Sequence, residues 1–282
     1  MTRFTGPSLS DLREEAERLT GPLPIAVNAV AVSESFRPRR VVVAGGDDSP
    51  TAMPRTAFQL VYPCTTTMID TGLDRETHDT FASGAPEPYH DERFEEVLRA
   101  LDDADRIVLT HHHADHVGGL VTSPDFDRLA GKTLVTAATA RLLVERPHRP
   151  QVRLGRQDVA RMSVVSYSGY RAIAPGLVAI AAAGHSPDSQ MLFIKLESGR
   201  EVLHCVDSAW HMDNIRLVRG KAAAWVDEDE EAIELQLRWL KAILDTAPSV
   251  ELVISHDGER LAELQARGVI GSRLRVREEV GA

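Results

Sequence analysis

The chain has 282 residues, of which 32 are lysine or arginine and 42 are aspartate or glutamate, for a formal net charge of −10. Its basic residues are scattered, so it lacks the basic surface with which proteins neutralise a nucleic-acid backbone, and we expect no nucleic-acid partner. No apolar stretch approaches the length of a membrane span, and the N-terminus lacks a basic-then-apolar signal peptide. We therefore expect no membrane contact and a cytoplasmic location.

The domain organisation follows from length and composition. We find no composition break, low-complexity tract, linker or internal repeat that would divide the chain. A chain of this length can bury one large core. The sequence therefore predicts a single domain over residues 1–282, with a short N-terminal helical extension at about residues 1–22.

The elements of the first half are predicted from apolar spacing and turn residues. Strands are expected at residues 25–32, 40–44, 58–62, 66–70 and 107–109, and helices at residues 8–19, 91–101 and 136–146. The strand at 107–109 is predicted to be followed by a loop and then by a pair of glycines. Residues 73–92 are rich in proline, glycine and charge, and are predicted to form a loop that covers substrate. Tyr89 and His90 are its candidate substrate contacts.

The second half predicts four more strands and a long helix. The strands are expected at residues 162–168, 177–182, 191–197 and 202–206. The helix is expected at residues 227–244, because Ile233, Leu237, Leu240 and Leu244 fall on one face. Its acidic start, residues 227–231, suits a helix N-terminus and is interpreted as a solvated surface.

The six residues 111–116 contain the pattern His-x-His-x-Asp-His. On extended backbone, residues two apart project to the same side, so His111 and His113 can share one metal ion. Asp115 and His116, after a turn, can face a second ion beside the first. Imidazole with carboxylate suits zinc, and also iron, manganese or cobalt. A solvated run of histidines is the alternative interpretation.

Further candidate ligands follow apolar runs later in the chain. His185 lies in a tight turn after residues 177–182, Asp207 ends the strand at 202–206, and His256 follows the apolar residues 252–254. Each candidate thus lies at a strand end, where a rigid sheet can direct side chains from loops into one pocket. Asp70 ends an earlier strand in the same way, although a turn-forming role would also explain it.

With these motifs the chain resembles the metallo-β-lactamase superfamily of hydrolases, over nearly its whole length from about residue 25. The resemblance implies an α/β (α+β) fold, the four-layer αββα sandwich. The metal ligands that it implies are His111, His113 and His185 for one ion, Asp115, His116 and His256 for a second ion, and Asp207 as the bridge between them. It also implies that Asp70 orients a metal-binding histidine without contacting the metal ion itself.

Two adjacent ions imply hydrolysis. They lower the pKa of a water held between them, so that hydroxide can attack near neutral pH, and they polarise the carbonyl or phosphoryl oxygen of the substrate. No serine or cysteine nucleophile is then needed. The resemblance gives Asp115 a further catalytic role, the movement of a proton to the leaving group.

Within the superfamily, the layout resembles the N-acyl homoserine lactonase group. About 110 residues precede the motif, and Asp207 follows His185 by 22 residues. That group has a tyrosine three residues after the bridging aspartate, whereas this chain has Trp210, which can donate only through its indole N–H. His211 is the alternative donor, and Asp188 replaces a glycine that is usual after the proline. The predicted substrate is a small ester, most of all a lactone.

Other functions on the same site stay open. They are a glyoxalase II type thioesterase, a β-lactamase, a phosphodiesterase, a persulfide dioxygenase and a non-catalytic metal-binding or scaffold protein. Asp207 in place of a cysteine ligand argues against the commonest β-lactamases, and the scattered basic residues argue against RNA-processing phosphodiesterases. Glyoxalase II enzymes and persulfide dioxygenases carry the motif nearer the N-terminus. A homodimer also stays open.

The two cysteines, Cys64 and Cys205, both flank predicted strands. They are expected to be buried thiols rather than a disulfide. On an ideal strand Cys205 would face the same side as Asp207, two residues on, so a role near the site is left open.

Overall fold

The computed structural model describes residues 4–82 and 86–277. In chain order, the helices are α1 (Leu9–Ala16), α2 (Arg39–Val42), α3 (Arg75–Asp79), α4 (Asp91–Asp103), α5 (Ala114–Val121), α6 (Phe126–Ala130), α7 (Ala137–Glu145), α8 (Arg156–Val159), α9 (Met212–Leu217), α10 (Glu230–Thr246) and α11 (Gly258–Ala266). The strands are β1 (Ala26–Pro38), β2 (Pro50–Val61), β3 (Thr66–Ile69), β4 (Arg106–Val108), β5 (Thr133–Thr136), β6 (Ser163–Val165), β7 (Tyr170–Ala174), β8 (Leu177–Ala181), β9 (Gln190–Lys195), β10 (Glu201–His204) and β11 (Val250–Val253). Within the described ranges, no helix is both long enough and apolar enough to cross a membrane.

The described residues form two compact units, each built from several segments of the chain. The first unit contains residues 4–25, 35–54 and 166–267, and the second contains the remaining described residues. The single domain expected over residues 1–282 stays a prediction.

The second unit carries the histidine motif on a six-stranded sheet of order β1-β2-β3-β4-β5-β6. β2 and β3 are antiparallel, whereas β3, β4, β5 and β6 run parallel. The core of this unit joins sheet and helix side chains, among them Met68, Leu101, Ile107, Val117 and Leu120. Because parallel strands end together at one edge of a sheet, the residues that follow β3 and β4 lie near each other.

The first unit contains a five-stranded sheet of order β11-β10-β9-β8-β7, in which β10 and β11 are parallel and the other neighbours antiparallel. α10 packs on its core through Ile233, Leu237 and Leu240, as its apolar spacing predicted. Complete burial of each such side chain contributes about 1.5–3 kcal/mol relative to leaving it exposed. The predicted fourth member of that face, Leu244, is only partly buried.

Several predicted boundaries are wrong. Residues 40–44 are not a strand, because Arg39 and Arg40 donate backbone hydrogen bonds to Ser49 and Asp47 and start the single helical turn α2. These contacts override the strand preference of the valines there. β5 and β7 were not expected, and β2 begins eight residues before the expected strand at 58–62. Residues 73–92 were predicted to form a loop, but they include helix α3. Residues 83–85 of that segment lie outside the described residues.

The predicted loop after the motif strand is present at residues 109–113, but the glycine pair beyond it lies in helix α5, which was not predicted. Its glycine pair serves close packing. A Cβ on Gly119 would lie 2.2 Å from the carbonyl oxygen of Thr71, and one on Gly118 would lie 2.8 Å from Leu73 Cβ. The glycines therefore let α5 approach the chain that follows β3, which brings the first turn of α5 close to Asp70.

The two thiols differ in environment. Both cysteines are free thiols, but Cys64 is exposed, so its predicted burial is wrong. It lies in the turn between β2 and β3, outside the packed strands. Cys205 is buried, and burial raises the pKa of its thiol to about 12.

Candidate metal centre

In the second unit, the motif residues lie between β4 and the first turn of α5. His113 is the N-cap residue of α5, with extended backbone, and Asp115 and His116 occupy its first turn. One possible ligand atom of His111 lies within 4.8 Å of one on His113, and the same holds for His111 with His116 and for Asp115 with His116. The second unit therefore gathers four of the predicted ligands.

Asp70 orients His116 directly and His111 through Thr110. Its Oδ2 accepts from His116 Nδ1 at 2.8 Å and from Thr110 Oγ1 at 2.7 Å, and its Oδ1 accepts from Thr110 N at 2.8 Å. An ionised carboxylate can only accept, so Nδ1 of His116 carries the proton and Nε2 keeps the lone pair that a metal ion would require. Because the Thr110 hydroxyl donates to Asp70, it accepts from His111 Nδ1 at 3.1 Å, which places the lone pair of that ring on Nε2 as well.

Asp70 has a left-handed backbone, with φ 56°. For a residue other than glycine such a conformation costs of order 1–3 kcal/mol and persists where the surroundings hold it. Here the next residue, Thr71, donates its backbone N–H to the carbonyl of His116 at 2.7 Å. This contact holds the end of β3 against α5.

Arg55, which lies on β2, is buried beside Asp115 and belongs to none of the sequence motifs. Its guanidinium lies 3.1 Å from His78 Nδ1 and 3.9 Å from the carboxylates of both Glu87 and Asp115, and it stacks on the ring of Phe81 at 4.6 Å. Burial, together with the charge of Arg55, lowers the pKa of His78. In its neutral form the His78 ring accepts from Arg55 and donates from Nε2 to the carbonyl of Glu87 at 3.2 Å.

His148 also contacts the motif. Its ring stacks on His113 with centroids 4.2 Å apart, and its Nδ1 accepts from the backbone N–H of Ala114 at 3.1 Å. His148 lies just after α7 with no motif around it, so sequence spacing gave no signal for this contact.

In the first unit, Asp207 lies between two buried histidines. Its Oδ2 is 3.1 Å from His256 Nε2 and 3.4 Å from His185 Nε2. Nδ1 of His256 donates to the carbonyl of Pro54 at 2.8 Å, and Nδ1 of His185 donates to the carboxylate of Glu228 at 2.5 Å. In the neutral rings both Nε2 atoms are therefore acceptors that face an acceptor oxygen. Such convergence is favourable when a cation lies among the atoms, so these residues fit a metal site.

The turn that carries Asp207 is strained. β10 ends at His204, two residues before the predicted end of the strand, and Val206–Ser208 form a short 3-10 turn. Val206 has φ 50°, a left-handed conformation that is rare for a β-branched residue. Since the strand has already ended, the alternation that would set Cys205 on the same side as Asp207 does not apply.

Trp210 and His211 have defined contacts within the first unit. Trp210 is buried, and its indole Nε1–H donates to Asp207 Oδ2 at 3.1 Å. His211 is the N-cap residue of α9, where its Nδ1 accepts from Asp213 N at 3.0 Å and its Nε2 lies 3.0 Å from Arg39 Nη1. The predicted substrate contacts of both residues stay predictions.

Tyr89 and His90 lie in the second unit at the start of α4. The hydroxyl of Tyr89 donates to the carbonyl of Leu73 at 3.1 Å, and its ring lies 4.6 Å from the guanidinium carbon of Arg75. His90 is the N-cap residue of α4 and lies 3.8 Å from Glu34. These contacts tie the segment to the fold, and a substrate contact by either residue stays a prediction.

Glu228 and Lys221 complete the surroundings of His185. The acidic residues before α10 were interpreted as a solvated helix start, but the Glu228 side chain is buried and forms an ion pair with Lys221 at 2.5 Å. Burial alone would raise the pKa of Glu228, yet Lys221 and His185 together outweigh it and lower that pKa. Neither residue belongs to a sequence pattern, so their position could come only from the fold.

The family profile described as Beta-lactamase superfamily domain matches residues 53–256, and the chain belongs to the metallo-β-lactamase superfamily. Among curated proteins it is 24% identical over 166 residues to the N-acyl homoserine lactonase AiiA of Bacillus thuringiensis subsp. kurstaki, an alignment that covers 52% of this chain and 60% of that protein. The match therefore spans less than two thirds of the length of the curated relative.

Two solved structures illustrate the likeness of fold. An N-acyl homoserine lactone hydrolase with N-hexanoyl-L-homoserine bound at its catalytic metal center superposes with a TM-score of 0.66 at 18% identity, over 86% of this chain and 96% of that one. The dizinc quorum-quenching lactonase AidC superposes with a TM-score of 0.58 at 13% identity, over 84% of this chain and 90% of that one. The predicted fold class and the predicted resemblance are confirmed.

Proposed function

We propose that the chain is a metal-dependent hydrolase that holds two divalent ions, most favourably zinc, and opens the ring of a small lactone. The observation that carries the proposal is the convergence of buried imidazole and carboxylate acceptors around Asp207. The lactonases among the relatives support the choice of substrate. A cytoplasmic location and a homodimer remain predictions from the sequence.

The ligand set is proposed residue by residue. Nε2 of His111 and His116 is directed by Thr110 and Asp70, and Nε2 of His185 and His256 by Glu228 and Pro54. Following the resemblance, we assign His111, His113 and His185 to one ion, Asp115, His116 and His256 to the second, and Asp207 to both. Imidazole and carboxylate donors of this kind suit zinc, iron, manganese or cobalt.

The chain's own residues supply orientation and proton transfer. When bound, the ions lower the pKa of an attacking water and polarise the ester carbonyl. Arg55 holds the carboxylate of Asp115 in place from the side of β2. We assign to Asp115 the delivery of a proton to the alkoxide that leaves when the ring opens.

The proton-transfer role predicts the behaviour of Asp115→Asn. An asparagine can still ligate through its carbonyl oxygen but cannot carry the proton, so kcat should fall more than metal content does. Rates and metal content measured on the same preparations, during a titration with metal, check this. Activity that simply follows occupancy would contradict the acid role.

Trp210→Phe keeps the aromatic ring but removes the N–H that donates to Asp207. A hydrogen bond to a charged group contributes about 1.5–3 kcal/mol, so metal affinity should fall at least about tenfold. We expect kcat/KM to fall by about tenfold at limiting metal and to recover at saturating metal.

The control for Trp210→Phe is Trp239→Phe, which also removes an indole donor, in this case to the carbonyl of Pro7. This control should change neither metal affinity nor kcat/KM. If the kcat/KM of Trp210→Phe stays low at saturating metal, the indole N–H would instead be assigned a contact with the substrate.

The substrate class is tested with a hydrolysis panel on the metal-loaded protein. The panel contains lactones, thioesters, β-lactams and phosphodiesters, and the proposal predicts that lactones are cleaved with the highest kcat/KM. The net charge of −10 gives no assistance to polyanionic substrates. Inert lactones beside well-cleaved thioesters or phosphodiesters would overturn the lactone assignment and leave the metallohydrolase assignment standing.

A further inference from the structure

Lys221 is a buried cation next to the predicted ligands of the first unit. Its side chain is 1% exposed. Its Nζ donates to Glu228 Oε1 at 2.5 Å and to the backbone carbonyl of Asp207, and it lies 4.9 Å from the centre of the Trp210 ring. Burying an ammonium group costs free energy unless the group is paired and hydrogen-bonded, and these contacts supply both.

Glu228 connects this cation to His185. The same oxygen, Oε1, accepts from Lys221 and from His185 Nδ1, the latter at 2.5 Å. A carboxylate paired with an ammonium group is ionised and can only accept. The proton of the neutral His185 ring is therefore on Nδ1, and the lone pair is on Nε2, the atom that faces Asp207 at 3.4 Å.

The backbone holds the two segments together. Asp229 donates its N–H to the carbonyl of Gly184 at 2.9 Å, which fixes Glu228 beside the turn that carries His185. A Cβ on Gly184 would lie 2.9 Å from Gln236 Nε2 and 3.2 Å from Ile233 Cδ1, so that turn packs closely on α10. The position of Glu228 relative to His185 is thus set by the backbone as well as by the side chains.

We propose that Glu228 and Lys221 are positioning residues that hold His185 in the tautomer whose Nε2 binds metal. Lys221 anchors the carboxylate of Glu228, and its second contact, with the carbonyl of Asp207, ties the arrangement to the neighbouring ligand. The inference rests on the proposed metal site. It assigns a role in ligand orientation to two residues in the segment between α9 and α10.

The test uses the metal-free full-length chain first. Nitrogen-15 NMR of the histidine rings reports which nitrogen carries the proton, and His185→Asn identifies the signal of that ring. We expect the wild-type His185 to carry its proton on Nδ1. Glu228→Gln keeps a carbonyl acceptor and should keep this tautomer, whereas Lys221→Met/Glu228→Leu removes the acceptor without leaving a buried charge and should lose it.

Metal affinity is the second readout, measured by competition with a chromophoric chelator. Loss of a residue that orients a metal ligand typically costs 10–100-fold in affinity, which is the effect expected for the double variant, and about tenfold is expected for Glu228→Gln. Asp227→Asn removes an exposed carboxylate one residue away and is the matched control, with no change expected. If the double variant does not fold, the metal affinity of Glu228→Gln alone tests the inference.

Wild-type affinity in the Glu228 variants, or an Nδ1 proton on His185 that survives in the double variant, would overturn the inference. The NMR readout needs neither metal nor substrate. A protein that hydrolyses no lactone but shows the expected tautomers therefore contradicts the proposed function and leaves this inference intact.

Discussion

Replacing Asp207 with alanine is expected to lower kcat/KM on the order of 10³-fold or more, because the proposed bridge between the two ions and their activation of water are lost together. Asp207 is buried beside His185 and His256, and its Oδ2 also accepts the indole N–H of Trp210. Initial rates, and metal content by mass spectrometry after dialysis, should fall together.

The control for Asp207→Ala is Asp245→Ala, since Asp245 is an exposed carboxylate that pairs with Lys241 on α10. This variant should retain metal and activity. An Asp207→Ala protein that keeps two ions per chain after dialysis would contradict the bridging role.

Arg55→Met is expected to give the largest loss of stability among single substitutions in the second unit's motif region. Removing one partner from a buried ionic cluster costs about 3–5 kcal/mol, because the remaining charges lose attraction that offset the cost of their desolvation. In this case the carboxylates of Glu87 and Asp115 would lose the guanidinium beside them. The free energy of unfolding from urea denaturation, followed by circular dichroism, measures the effect.

Arg99→Met is the matched control for Arg55→Met. Arg99 lies on α4 in the same unit and pairs with Glu95 at the surface. Such exposed pairs contribute about 0–1 kcal/mol, so the control should unfold almost like the wild type. Equal stability losses in the two variants would show that the buried position of Arg55 has no energetic consequence.

The candidate ligand set could be proposed from the sequence because metal ligation imposes a short and unusual spacing. His111, His113, Asp115 and His116 fall within six residues, and the three later candidates each follow an apolar run. Even so, the secondary structure predicted around the motif was partly wrong. Gly118 and Gly119 lie inside α5, a helix that was not predicted, and there the close approach of Thr71 and Leu73 requires their small size.

The residues that form hydrogen bonds or ion pairs with the predicted ligands are of two kinds. Asp70 could be predicted because it ends an expected strand, as the later candidate ligands do. Arg55, Lys221 and Glu228 could not, since each acts through contacts with residues that are distant in sequence or lie in a segment without periodicity. A charged residue usually indicates a solvated surface, and burial inside an ion-paired cluster becomes visible only once the chain has folded.

The proposed dinuclear site is tested most directly by the number of transition-metal ions that the purified, anaerobically loaded chain holds. We expect close to two ions per chain, loss of one in His111→Ala or His185→Ala, and weaker binding of the other in His256→Ala. A native protein that holds one ion or none under these conditions would contradict the dinuclear site on which the proposed hydrolysis depends.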